Sequence, residues 1–192
     1  MTRRAAVVVL ALACTEAACT EAPATEPQPV GPCGAVVEEV PDELGEHVPI
    51  ETPIEWSSTP PATGTHYWTW AAWDRDYAEV VPPGFWLHNA EHGGVILLHR
   101  GDPATRAALV GLTDELPLDP RCAAPVRHRT LVTPAELPPG VAVALIAWNW
   151  RYTARCFDAA TARAFIDARY SMGSESTCAE GLYPDDLDSD SP

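Results

Sequence analysis

Apolar positions along this chain fall into two kinds of pattern. Continuous apolar runs at "VILLH", Val95 to His99, and "GVAVALIAWNW", Gly140 to Trp150, read as buried strands, because a strand covered on both faces has no polar alternation to show. The second run is the longest and reads as the central strand of a sheet. "AVVEEV", Ala35 to Val40, and "HRTLVTP", His128 to Pro134, are further strand candidates. Helical spacing appears in "DAATARAFIDARY", where Ala162, Phe165, Ile166 and Tyr170 fall on one face and Asp158 stands as the cap. "DPATRAALVGL" predicts a second helix with Asp102 as N-cap and Pro103 at the first helical position. A short helix fits inside "PPGFWLHNAEHGG", with Pro82 and Pro83 at its start and Gly93 at its end. The stretch from Pro49 to Tyr67, rich in Pro, Thr and Ser, is mostly loop with an edge strand near Ile54 to Trp56. Thr113 to Arg127 is a loop, and no internal repeat is present. This order predicts an α+β fold: one small domain with a central mixed or antiparallel sheet and its helices on one face.

The ends of the chain do not share these patterns. Arg3 and Arg4 precede an apolar run from Ala5 to Ala13, which is shorter than the roughly 20 residues a bilayer span needs. It fits the apolar region of a secretory signal. "ALAC" then resembles a lipobox, which makes Cys14 the expected lipidation site and membrane anchor; an ordinary cleaved signal is the alternative. Residues 14–32, rich in Pro, Thr, Glu and Ala, read as a flexible tether, and residues 181–192 as an acidic tail. Residues 1–13 are then the signal peptide and 33–180 the folded domain, and the expected location is the cell envelope.

Composition narrows the partners. The 192 residues carry a formal net charge of -15, and all 12 basic residues are Arg. A nucleic-acid partner is excluded on this balance, since phosphate recognition needs a concentrated basic face. The six cysteines form no CxxC pair, so a zinc ribbon is not indicated. With Cys14 lipidated and Cys19 in the tether, four remain, and four allow three disulfide connectivities. Cys122 with Cys156, and Cys33 with Cys178, is the preferred set, the second pair tying the domain's ends together. Seven tryptophans are present, and Trp56, Trp68, Trp70, Trp73 and Trp86 crowd the middle of the chain. They form either core packing or a flat sugar-binding wall.

The chemistry concentrates in "HNAEHGG". His88 and His92 are four residues apart, and Glu91 is three after His88, so all three share one face of a helix. His-x-x-Glu-His matches the inverzincin zinc motif. That motif needs a long helix, and Gly93 with Gly94 would stop this one at once. "STPPATGTHY" followed by "LHNAEHGGVILL" resembles the bacterial domain-of-unknown-function family 3105. The resemblance rests on Pro60, Pro61, Gly64, His66 and Tyr67, then on His88, Asn89, Glu91, His92, Gly93 and Gly94, with His47 and Val48 upstream. Thr65, Ala90 and His99 depart from the family pattern, as does "GSEST" after the last helix. The resemblance implies a secreted or membrane-anchored protein and supplies no activity.

Three or four convergent donors make a metal site. His66, His88 and His92 are the first candidates, with His47 and Glu91 next, and copper or zinc as the ion. If the site is hydrolytic, Glu91 is the expected base. The competing expectation is a buried hydrogen-bond network in which the imidazoles satisfy loop carbonyls and Asn89 fixes the turn. His99 and His128 carry less weight, the first expected near solvent and the second between two arginines.

Overall fold

A computed structural model describes residues 27–50 and 52–184. The expected signal peptide, Cys14, Cys19, most of the tether and the tail from residue 185 lie outside the described residues. In chain order the elements are β1 (Val36–Glu39), β2 (His47–Val48), β3 (His66–Tyr67), β4 (Arg75–Asp76), α1 (Pro83–Glu91), β5 (Val95–His99), α2 (Pro103–Asp114), β6 (Thr130–Pro134), β7 (Val143–Ala147), β8 (Trp150–Ala154) and α3 (Ala159–Arg169). Six strands form a mixed sheet in the order β1-β8-β7-β5-β6-β4, and β2 pairs with β3 in a separate two-stranded sheet. The β5–β6 and β4–β6 pairs are parallel; the β5–β7, β7–β8 and β1–β8 pairs are antiparallel. The α+β expectation with a mixed sheet is met. Among the described residues no helix is long and apolar enough to cross a membrane.

The helices divide between the two faces of the sheet, where one face was expected to carry them all. Strand residues alternate between two cores. Ile96, Leu98 and Ile146 pack with Phe85, Trp86 and Leu87 of α1. Val95, Leu97 and Leu145 pack with Leu109 and Leu112 of α2 and with Phe165 and Ile166 of α3. The continuous apolar run of β5 is the sequence trace of this two-sided burial.

The starts of α2 and α3 lie where their Asp caps place them, and α1 starts at the Pro82–Pro83 step without a side-chain cap. The Asp102 carboxylate accepts from the Thr105 N–H, and Asp158 accepts from Thr161 N–H. The longest apolar run is not one strand. It folds back at Trp148 and Asn149 into the β7–β8 hairpin, with Ala147 opposite Trp150 and Asn149 at φ 63°. Asn tolerates this left-handed conformation, which is what allows so tight a reversal inside apolar sequence. Ile54 to Trp56 forms no strand. Its Pro53 and the Trp56 side chain, bonded to the Thr65 carbonyl, hold it as a loop instead.

The disulfides are Cys33–Cys156 and Cys122–Cys178, not the preferred pairing. The reason is register. β1 runs antiparallel to β8 with Val36 opposite Thr153, and the same register carried three residues outward sets Cys33 against Cys156. That leaves Cys178 to Cys122, which pins the chain after α3 to the loop before β6.

Candidate functional site: a histidine–carboxylate cluster

The small β2–β3 sheet brings the first two histidines together. Its parallel register pairs His47 with His66 and Val48 with Tyr67. His66 N–H donates to the Glu46 carbonyl at 3.0 Å and Trp68 N–H to Val48 at 3.0 Å. Helix α1 packs across this pair. A Cβ on Gly84 would lie 2.5 Å from the Tyr67 ring, so glycine at the helix start lets α1 approach closely enough to face β3.

Helix α1 then presents His88, Glu91 and His92 on one face, as the i, i+3, i+4 spacing requires. Asn89 points elsewhere and clasps the backbone: its amide donates to the Ala71 carbonyl at 2.8 Å and its oxygen accepts from Ala71 N–H at 3.0 Å. The glycine pair ends the helix as a Schellman turn. Gly93 N–H donates to Ala90 at 2.9 Å, Gly94 N–H to Asn89 at 3.0 Å, and Gly93 takes φ 81°. Gly94 also lies against Trp73 and the Arg129 carbonyl, where a Cβ would come within 2.5 and 2.8 Å. The chain leaves His92 and enters β5 within three residues, so the two histidines are fixed against the sheet.

His47, His66, His88 and Glu91 converge, each offering one ligand atom, with all four atoms within 4.8 Å of one another. Glu91 Oε2 lies 2.9 Å from His66 Nε2 and 3.4 Å from His47 Nε2. The three rings form a near-equilateral triangle with centroids 4.6, 4.6 and 4.7 Å apart. His92 stands one step out, its Nε2 3.1 Å from His88 Nε2 and 3.0 Å from Glu175 Oε2. Trp70 flanks His88 and His92, with centroid distances of 4.8 and 4.4 Å, and Trp148 meets His66 edge-on at 5.7 Å. His66, His88, Glu91 and His92 are buried, while the His47 side chain is 42% exposed and forms the solvent edge.

The tautomers follow from the outer nitrogens. His66 Nδ1–H donates to the Gly64 carbonyl at 2.8 Å, and His88 Nδ1–H to the Tyr67 carbonyl at 2.7 Å. A carbonyl can only accept, so each neutral ring turns its Nε2 lone pair inward. Burial pushes His88 down to about 3, helped by the neighbouring His66, His92 and His47. Burial alone would raise the Glu91 carboxyl; His66, then Ser174 and His47, outweigh it and hold Glu91 below the usual range. His92 is also lowered, by burial, against the pull of Glu175 and Glu91. The cluster therefore sets the Glu91 carboxylate among imidazoles, of which His88 is held neutral by burial. His66 Nε2 and Glu91 Oε2 meet at 2.9 Å, and both atoms are buried.

On His66 and His88 the Nδ1 atoms satisfy backbone carbonyls, and the Nε2 atoms face the cluster. Glu175 and Ser174 were not among the candidates. Ser174 Oγ donates to Glu91 Oε1 at 3.1 Å, and "GSEST" gave no signal beyond a carboxylate in a loop. His99 and His128 stay outside the cluster. His99 is buried rather than near solvent, its Nδ1 accepting from Gly101 N–H at 2.9 Å. His128 is bonded to Thr130 Oγ1 at 2.8 Å. Of the tryptophans, Trp86 lies in the core beside α1, and Trp73 is buried with its N–H on the Ala179 carbonyl at 2.9 Å.

Fold and site define a single-domain α+β protein built around a histidine–carboxylate cluster. The chain belongs to the family described as Protein of unknown function (DUF3105), whose model matches residues 47–180. That span begins at His47 and contains every residue of the cluster. Neither the curated proteins nor the solved structures include a match to the chain.

Proposed function

We propose that the cluster binds a transition-metal ion, copper or zinc, through His47, His66, His88 and Glu91, with His92 as an adjoining donor. The observation that carries this reading is the convergence of four ligand atoms, from His47, His66, His88 and Glu91, within 4.8 Å of one another. A buried polar network is stable when donors meet acceptors. Here three imidazoles and a carboxylate converge on one point, an arrangement that a cation would satisfy. An ion with metal–nitrogen bonds of about 2.0–2.1 Å holds tetrahedral donors about 3.3 Å apart, which the observed spacings approach. The outward Nδ1–H to carbonyl contacts are the usual support of metal-bound imidazoles. Three imidazoles and one carboxylate suit zinc and Cu(II).

The hydrolase alternative would need Glu91 free beside the metal as a base. Both its oxygens are engaged, one at the histidines and one at Ser174, which supports a ligand role. Export and lipid anchoring through Cys14 to the cell envelope belong to the same proposal. The two disulfides support it, because such bonds persist in oxidising compartments.

The test is metal analysis of the full chain purified without a histidine tag, with thermal unfolding in added Cu(II) or Zn(II). Binding stabilises the folded state by about 2.7 kcal/mol at a hundredfold excess over Kd. Absence of bound metal together with an unmoved Tm would defeat the proposal in favour of the structural network.

A further inference from the structure

We propose that the segment from Ser171 to Cys178 is a working part of this metal site: Glu175 stands beside His92 as a further donor, and the Cys122–Cys178 disulfide holds Glu175 in place. This rests on the metal-site reading above.

His92 differs from the other buried histidines of the cluster in one respect. His66 and His88 are oriented by their Nδ1 protons on backbone carbonyls, but His92 Nδ1 is buried with no hydrogen-bond partner among the described residues. What orients the ring is the other side, where its Nε2 meets Glu175 Oε2 at 3.0 Å and Trp70 packs edge-on. Glu175 Oε2 thus stands beside the nitrogen that would coordinate, and with 53% of its side chain accessible it can join His92 on an ion.

The segment carrying Glu175 has no regular secondary structure, and its place is set contact by contact. Ser171 N–H donates to Gly93 at 2.8 Å and Glu175 N–H to Glu91 at 3.0 Å. Gly173 fits so tightly that a Cβ would lie 2.0 Å from the Glu91 carbonyl oxygen. Buried Arg129 donates both to the His92 carbonyl and to Ser171 Oγ. One end of the segment is thus tied to the chain before β6 by hydrogen bonds. The other end is tied to the same stretch covalently, since Cys178 joins Cys122. Just beyond, the Ala179 carbonyl accepts from Trp70 at 3.1 Å and Trp73 at 2.9 Å, so the disulfide also anchors the ring that packs on His92. Without the disulfide, the far end of the segment is released, and Glu175 is held from one side, by its backbone bond to Glu91, the Ser174–Glu91 contact and the Ser171–Gly173 packing.

Co(II) titration of the full chain tests this, because its visible bands report the ligand field. The double replacement Cys122→Ser with Cys178→Ser should weaken Co(II) binding about 10–100-fold, the usual loss when support around a ligand is removed, and should shift the bands. Glu175→Gln should do the same in the disulfide-intact protein, and Glu175→Asp should recover part of the loss. Adding Glu175→Gln to the cysteine variant should cost nothing more, since the carboxylate has already left. The pair Cys33→Ser with Cys156→Ser serves as control and should leave affinity unchanged. Wild-type affinity and bands in the cysteine variant, or independent and additive losses, would overturn the proposal. Should the cysteine variant fail to fold, unaltered bands in Glu175→Gln would overturn it equally. A wild-type chain that binds no Co(II) would fail the metal reading itself, a different result from a wild-type chain that binds and a variant that binds as well.

Discussion

Asp119→Asn is expected to destabilise the protein severely, and to do so through the floor of the candidate site. Asp119 and Arg129 form an ion pair at 2.8 Å with side chains 2% and 0% exposed. Tyr170 OH donates to the same Asp119 oxygen at 2.8 Å and accepts from the Arg129 N–H at 2.7 Å. Asparagine keeps the shape and loses the charge, so the guanidinium is left buried without its counter-ion. Removing one partner of a buried pair costs about 3–5 kcal/mol, several times the cost of an exposed pair. Most single domains have about 5–15 kcal/mol in total, so the loss is a large fraction of stability. Equilibrium unfolding in urea at pH 7 measures it, with the m-value checked for constancy. The pH dependence gives a second, independent sign. Burial would raise the Asp119 carboxyl, but the Arg121 backbone N–H, Tyr170 and Arg129 together lower it. A carboxyl lowered by folding stabilises the native state above its unfolded pKa of about 3.9, and that stability is lost as pH falls through the folded value. The difference between wild type and Asp119→Asn should therefore be full near neutrality and shrink below about pH 4. A cost under about 1 kcal/mol at pH 7, the range of exposed pairs, or a difference that grows with acid, would refute the reasoning.

Three further outcomes follow from the same contacts. His88→Ala should abolish tight metal binding, since it removes one corner of the imidazole triangle, and isothermal titration with Zn(II) reads this directly. Gly94→Ala should cost about 1–3 kcal/mol by forcing a methyl against Trp73 and the Arg129 carbonyl, seen as a lowered urea midpoint; a neutral result would mean the turn can shift. Removing Cys33–Cys156, which closes a separation of 123 residues, should cost up to about 5 kcal/mol in the chain-entropy picture, measured by unfolding of the Ser/Ser variant against wild type.

What the sequence disclosed and what it withheld divide along a physical line. Caps and helix starts are local: Asp102, Asp158 and the Pro82–Pro83 step announce α2, α3 and α1 because the groups that satisfy a helix end lie within a turn of it. The glycine pair after His92 was legible for the same reason, as the end of a short helix. The β7–β8 reversal was hidden because Trp148 is apolar and sits where a polar turn residue would have broken the pattern; only Asn149 marks it. The division of helices between two faces was hidden too, although the unbroken apolarity of β5 already required cover on both sides. The disulfides depend on register between β1 and β8, which no spacing along the chain encodes.

The candidate site shows the same division at finer scale. His88, Glu91 and His92 share a face because a helix of 3.6 residues per turn puts them there, and sequence alone fixes that. His66 and His47 reach them through a two-residue parallel pairing, too short to leave any periodic trace. Glu175 is further still from legibility, since it arrives on a segment without secondary structure, held by Gly173's lack of a side chain and by Cys178. What makes the cluster chemically suggestive is therefore its non-local part. Two histidines and a carboxylate on one short helix would be an ordinary buried trio, able to satisfy one another with protons. The Tyr67 carbonyl takes the His88 proton outward, the Gly64 carbonyl takes that of His66, and the paired His47 and His66 complete the cluster around Glu91. The fold converts a local motif into a convergent histidine–carboxylate cluster, and one variant makes the sharpest test of the proposed metal site. Glu91→Gln keeps the size of the side chain and offers an N–H to His66 Nε2. It should leave the fold intact or slightly stabilised while metal affinity collapses, and equal losses of stability and affinity would show instead that the cluster is held together by its charge.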